Sequence, residues 1–184
     1  MNSACIPVRR SATRYGATGK TCTITHPTGG GYTRFFGFDS FGGFGELLEG
    51  DGHPFFVADN FETSLAKVDK RVKPFRKKFK AELIKGFFNE SLKGGPEALG
   101  IKKARIILID CDTYTAAKDA FLFCRSVVQE GTIIILDDRM SYRGNPDAGE
   151  SRAFREFIEY THIEVRVFLE YGGGSRAYIV SKVG

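Results

Sequence analysis

Five aspartates stand where short apolar runs end. Arg34–Ser40 (RFFGFDS) carries Asp39, Arg105–Ile109 (RIILI) runs into Asp110-Cys111-Asp112, and Thr132–Leu136 (TIIIL) runs into Asp137-Asp138. Carboxylates delivered side by side repel one another unless a proton or a cation sits between them. An all-oxygen donor set suits a hard ion such as Mg²⁺, which keeps waters that substrate oxygens can displace. Taken singly, each acid could be a helix cap or a solvated loop acid. Taken together, Asp110, Asp137 and Asp138 point to a site.

The elements that must position these acids follow from the apolar pattern. The RIILI and TIIIL runs read as buried strands. Between them, residues 113–128 place Ala116, Ala117, Ala120, Phe121, Cys124, Val127 and Val128 at helical spacing, and Glu130-Gly131 stops that helix. Strand, helix and strand make a βαβ unit with parallel strands, so Asp110 and Asp137 return to one sheet edge. Residues 150–160 read as a further helix, with Ala153, Phe154, Phe157 and Ile158 on one face. Ile163–Leu169 and Ala177–Ser181 read as strands whose short glycine-rich connection forces an antiparallel pair. In the first half, Arg34–Ser40 and Glu82–Phe88 read as strands and residues 61–72 as an amphipathic helix. The alternation predicts a three-layer α/β sandwich with a mostly parallel sheet ending in an antiparallel hairpin. Ligands of such sheets bind at the carboxyl ends of the strands, where all these acids fall.

Asp39 suggests separate chemistry. A carboxylate ending the second strand of such a sheet can accept hydrogen bonds from ribose hydroxyls, with a glycine turn about 20 residues upstream. Gly16-Ala17-Thr18-Gly19-Lys20-Thr21 lies at that distance, with Arg14 where the first glycine of GxGxxG would stand. Gly19-Lys20-Thr21 also mimics a phosphate-binding loop, but the required upstream glycine is again Arg14.

Composition bounds these readings. The 184 residues are 42% hydrophobic and 27% charged with net charge +5, which suits one core-forming domain over residues 1–184 and excludes disordered or fibrous classes. No apolar run is long enough to span a bilayer. Four dispersed cysteines without CxxC spacing exclude a zinc site and a disulfide framework, which fits a reducing, cytoplasmic setting. Residues 1–38 hold five basic residues and no acid, a bias shared by organelle-targeting segments. Lys67–Lys80 contains eight Lys or Arg; a nucleic-acid contact is one reading and a solvated helix face the plainer one. His26 or His53 could reach an acceptor pocket that Phe35, Phe36, Phe41 and Phe44 could line, or these residues could serve packing alone.

Four segments then occur in a telling order: Phe36-Gly37-Phe38-Asp39-Ser40-Phe41-Gly42-Gly43, Lys85-Gly86-Phe87-Phe88-Asn89-Glu90-Ser91-Leu92, Ile109-Asp110-Cys111-Asp112-Thr113-Tyr114 and Leu136-Asp137-Asp138. Together they resemble the macrocin O-methyltransferase family of S-adenosylmethionine-dependent enzymes, over about Gly16 to Lys182, with residues 1–13 poorly matched. The resemblance implies a seven-stranded Rossmann-like methyltransferase sheet. It implies a cofactor, S-adenosylmethionine, held by the Gly16 and Gly19 turn, by Asp39 with Ser40 at the ribose, and by Gly86 and Phe87 at the adenine. It further implies Mg²⁺ on Asp110, Asp137 and Asp138, with Asp110 or Asp112 nearest the general base. The acceptor would be a hydroxylated small molecule such as a sugar, with neither membrane nor nucleic acid as partner; a homo-oligomer stays open. The family's first motif resembles Glu-Phe-Gly, where this chain has Arg14-Tyr15-Gly16. That change motivates an alternative, a catalytically impaired methyltransferase-like protein acting as a binding partner.

Overall fold

A computed structural model describes residues 21–27, 33–57, 61–77 and 79–184. Its strands are β1 (Thr21–Pro27), β2 (Thr33–Asp39), β3 (Lys80–Lys85), β4 (Ile106–Asp110), β5 (Ile133–Leu136), β6 (Glu164–Tyr171) and β7 (Ser175–Lys182). They form a single sheet in the order β3-β2-β1-β4-β5-β7-β6. The parallel ladders are β2 with β3 and β4 with β5. β7 runs antiparallel to both β5 and β6. The expected α/β class, the βαβ unit and the terminal hairpin are therefore present.

One strand departs from the expected pattern. β1 pairs antiparallel with both β2 and β4, so it runs against the strands on either side. Strands β2 to β6 all point one way, and β1 and β7 point the other. The Thr-rich stretch TCTITHP alternates as a strand does but carries no signal of its partners or direction. Its neighbours supply both, with Ile24 fully buried opposite Phe36 and Ile107.

The core lies on one face of the sheet. Ile24, Phe36, Phe38, Ile107, Ile109, Ile134, Leu136, Tyr178 and Val180 are buried there. They pack beneath α2 (Phe88–Ser91), α3 (Tyr114–Cys124) and α4 (Gly149–Thr161). In α3, Ala116, Ala117, Ala120, Phe121 and Cys124 recur every three or four residues and are all buried. Phe121 stacks on Phe157 of α4 at 4.8 Å, and Phe154 meets Tyr178 at 4.7 Å. The opposite face carries Phe35, Ile106, Leu108, Ile133, Ile135 and Ile179, which stay partly open. Phe79 packs edge-on against Phe35 at that face.

Local structure corrects several boundaries. The helix expected over 61–72 is α1 (Leu65–Val72), because the Ser64 side chain accepts a hydrogen bond from the Lys67 amide and so starts it. The strand expected over Glu82–Phe88 stops at Lys85. Gly86 turns the chain at φ +147°, and Phe88 opens α2. The helix expected over 113–128 ends at Cys124; the Val127 amide folds back to the Cys124 carbonyl.

The basic segment divides into α1 and a 3-10 turn over Lys73–Lys77. None of its described residues is buried, and Arg76 pairs with Asp69 at 2.7 Å. The geometry is that of a solvated helix face. No helix among the described residues is long and apolar enough to cross a membrane.

Candidate functional site

Since β2, β4 and β5 run the same way, Asp39, Asp110 and the Asp137-Asp138 pair all arrive at the sheet's carboxyl edge. β4 and β5 are hydrogen-bonded neighbours, and the Asp137 amide donates to the Ile109 carbonyl at 3.0 Å. One carboxylate oxygen from each of Asp110, Asp137 and Asp138 lies within 4.8 Å of the other two. All three residues are half-buried.

Electrostatics follow from that crowding. Burial pushes the Asp110 carboxyl well above the usual carboxylate range, and the charges of Asp138, Asp137 and Asp112 push it further. Burial also raises Asp138, against an opposing hydrogen bond from Asp110. Hard all-oxygen donors from two adjacent strands therefore fit Mg²⁺.

The surrounding residues hold the acids in place. The Tyr171 hydroxyl, on the β6–β7 hairpin, donates to Asp137 Oδ1 at 2.9 Å, and Ser175 Oγ donates to the Asp137 carbonyl at 2.7 Å. Burial and the Asp137 charge keep the Tyr171 phenol protonated far above neutrality. Ser141 Oγ donates to Asp138 Oδ1 at 3.2 Å. Asp112 is buried with φ +58°, which turns the chain from β4 into α3.

On the β2 side, Asp39 is buried and its Oδ1 accepts the Phe41 amide at 2.6 Å. Ser40 Oγ donates to the Gly43 carbonyl at 2.8 Å and accepts from the Gly42 amide at 3.2 Å. The Gly86 amide donates to the Asp39 carbonyl at 3.0 Å, which places Phe87 beside this turn with 40% of its surface exposed. Ser40 and Phe87 border a cavity of about 310 Å³, a size suited to a small molecule. Glu46, Asp51, Glu90 and Asp119 also line it, and no Lys or Arg among the described residues does. The structure thus brings Asp39, Ser40, Gly86 and Phe87 together, and separately Asp110, Asp137 and Asp138.

Gly16 and Gly19 lie outside the described residues. β1 begins at Thr21, which pairs with Asp110. The chain enters β1 at the carboxyl edge instead of leaving it there.

Asp51 and Tyr142 escaped the sequence reading, and His53 joins them in the structure. Asp51 is 1% exposed, and its Oδ1 caps the start of α3 by accepting the Thr115 amide at 3.0 Å. The Tyr142 hydroxyl donates to the Asp51 carbonyl at 3.0 Å. His53 Nδ1 accepts the Phe55 amide, which assigns its proton to Nε2, 3.0 Å from the Ser141 carbonyl. His53 also stacks on Phe56 at 4.2 Å. These contacts fasten the loop after β2 to the loop after β5. They join residues far apart in the chain, so no spacing rule signals them.

No family model and no curated protein matches this chain. Solved structures do resemble it. One is the calicheamicin methyltransferase CalS11, with TM-score 0.62 and 20% identity, covering 78% of this chain and 59% of that one. Another is the O-methyltransferase NovP, with TM-score 0.61 and 17% identity over 79% of this chain and 59% of that one. An apo structure of CalS11, described as a TDP-rhamnose 3′-O-methyltransferase, has TM-score 0.53 and 18% identity. The chain spans less than two thirds of the length of each of these neighbours. At such identity the likeness shows the fold: that of the Rossmann-like O-methyltransferases.

Proposed function

We propose that this chain is an S-adenosylmethionine-dependent, Mg²⁺-assisted O-methyltransferase acting on a hydroxyl of a small molecule, such as a sugar. The observation that carries this reading is the convergence of Asp110, Asp137 and Asp138 within 4.8 Å at the sheet edge. The acid-lined cavity bordered by Ser40 and Phe87 supports it, because a sulfonium cofactor is cationic and an anionic wall favours a cation. Asp110, Asp137 and Asp138 would hold the metal, which when bound would lower the cost of forming an alkoxide on the acceptor. Asp39 and Ser40 would meet the ribose, and Gly86 with Phe87 the adenine. Asp110 or Asp112 would take the acceptor's proton. The sheet edge would align the acceptor oxygen with the methyl group.

Calorimetry with S-adenosylhomocysteine, with and without Mg²⁺, tests the reading. Saturable binding of both is expected, followed by transfer of labelled methyl to a hydroxylated sugar nucleotide. Binding of neither would end the enzymatic reading. The direction of β1 favours a second reading, a methyltransferase-like partner protein impaired in catalysis, because among the described residues the strand between β2 and β4 enters at the carboxyl edge and does not leave there. That reading expects Mg²⁺ uptake without nucleoside binding or methyl transfer.

A further inference from the structure

One of the acids most shielded from water at this edge is not part of the cluster. Glu150, in the first turn of α4, is 1% exposed. An acid in a helix's first turn usually faces its own helix's free amides, where the dipole favours it. Glu150 instead reaches across to the sheet. Its Oε1 accepts the Cys111 amide at 2.9 Å, and its Oε2 accepts the Asp138 amide at 3.1 Å. Cys111 follows Asp110 directly, so one carboxylate joins the backbone leaving β4 to the backbone leaving β5.

Two features make this bridge specific. Each oxygen receives an N–H, so both must be acceptors; a carboxylate satisfies that, and an amide would turn its NH₂ towards one of the two N–H groups. The approach also depends on Gly149. A Cβ there would lie 2.5 Å from the Tyr142 ring and 3.1 Å from the Asp112 carbonyl. Without a side chain at 149, α4 comes close enough for Glu150 to reach both strand ends.

We propose that Glu150 is the positioning residue of the carboxylate cluster, setting the separation of Asp110 from Asp138 through the two backbone amides it holds. The proposal rests on the metal reading of that cluster. Residues that orient ligands in this way typically govern metal affinity by 10–100-fold.

The experiment compares the unaltered protein with Glu150→Gln in calorimetric titrations of Mg²⁺ and, separately, S-adenosylhomocysteine, with thermal midpoints recorded alongside. The expected result is a Mg²⁺ affinity about 10–100-fold weaker in E150Q, with nucleoside affinity unchanged. A merely structural glutamate would weaken both ligands together or lower the midpoint alone. Equal Mg²⁺ affinity in the two proteins overturns the proposal. No Mg²⁺ uptake by the unaltered protein overturns the metal reading first and this inference with it, so the two failures are told apart. The metal titration decides the matter whether or not the nucleoside binds.

Should E150Q fail to fold, amide exchange in the unaltered protein decides. The Cys111 and Asp138 amides are expected to exchange at least about tenfold more slowly than that of Met140 in the adjoining loop. Exchange as fast as Met140's overturns the bridge.

Discussion

The two halves of the sheet's carboxyl edge are held in different ways. At β4 and β5 the acids are fixed by residues distant in the chain. Tyr171 and Ser175 hold Asp137 from the terminal hairpin, and Glu150 holds the Asp138 and Cys111 amides from α4. At β2 the polar side chains are tied within their own turn: Asp39 to Phe41, and Ser40 to Gly42 and Gly43. The first half draws side-chain ties from distant elements, while the second adds ties within its own turn to the Gly86 bond on the Asp39 carbonyl. β1, reversed between β2 and β4, leaves the β4–β5 ladder parallel. It changes what reaches the Asp39 side. Metal binding and cofactor binding should therefore be separable in this protein.

The largest effects test that separation directly. Asp138→Asn removes one of three converging oxygens' charge and is expected to weaken Mg²⁺ about 100-fold or more, since even outer-shell changes cost 10–100-fold. S-adenosylhomocysteine binding should be unmoved by it. Asp39→Ala should do the converse, lowering nucleoside affinity and sparing Mg²⁺. Calorimetry on both variants checks the pair. If each variant weakens both ligands alike, the two halves form one coupled site and the comparison fails.

A second effect depends on pH. Asp110 and Glu150 are both pushed up by burial first and by neighbouring carboxylates next. A carboxyl whose folded pKa lies above its unfolded value favours folding below the ordinary carboxylate range, about pH 4. That contribution is lost as pH rises through the elevated folded value. The metal-free protein should therefore lose stability from mildly acidic towards alkaline pH. Mg²⁺ competes with those protons, so its stabilisation should grow in the same direction. At 100 times the dissociation constant it contributes about 2.7 kcal/mol, or roughly 5–10 °C for a chain of this size. Thermal melts at pH 5.5 and 8, with and without Mg²⁺, read this out; a larger Mg²⁺ shift at the lower pH would contradict the assignment.

The half tied to distant elements was also the half more legible in the sequence. RIILI and TIIIL are β-branched runs with a helix between them, so direction, pairing and the position of the acids all follow from local pattern. The β6–β7 hairpin was readable for the same reason, from its glycine-rich turn. β1 was not: TCTITHP alternates Thr with Cys22, Ile24 and His26, but alternation does not state which neighbour a strand joins or in which sense; Ile24 is placed by Phe36 and Ile107. Asp51, Glu150 and Tyr171 were invisible for a related reason. Their partners, Thr115, Cys111 with Asp138, and Asp137, lie 12 to 64 positions away. A single acid or phenol looks the same whether it faces water or a buried amide.

A smaller effect probes how closely α4 must approach. Gly149 sits at φ +52°, against the Tyr142 ring and the Asp112 carbonyl. Gly149→Ala has to displace one of them, at a cost of about 1–3 kcal/mol for an overpacked site, or several degrees in melting temperature. Should the variant melt as the parent does, the contact is loose and α4 has room that the comparison denies it.

The smallest effect separates orientation of an acid from support of its backbone. Tyr171→Phe removes the hydroxyl that donates to Asp137 and leaves the Ser175 bond to the Asp137 carbonyl in place. The hairpin here is largely open to solvent, with Tyr171 36% exposed. The net loss should therefore fall near the low end for a hydrogen bond, about 0.5–1 kcal/mol, or roughly 1–4 °C. Because the phenol stays protonated across the working range, the effect should not vary between pH 6 and 9. Mg²⁺ affinity should drop by less than about tenfold, at or below the lower bound for outer-shell residues, since water can replace a donor that is already exposed. A drop as large as that expected for the buried Glu150 would mean that side-chain orientation, rather than the spacing of the strand ends, governs this half of the edge.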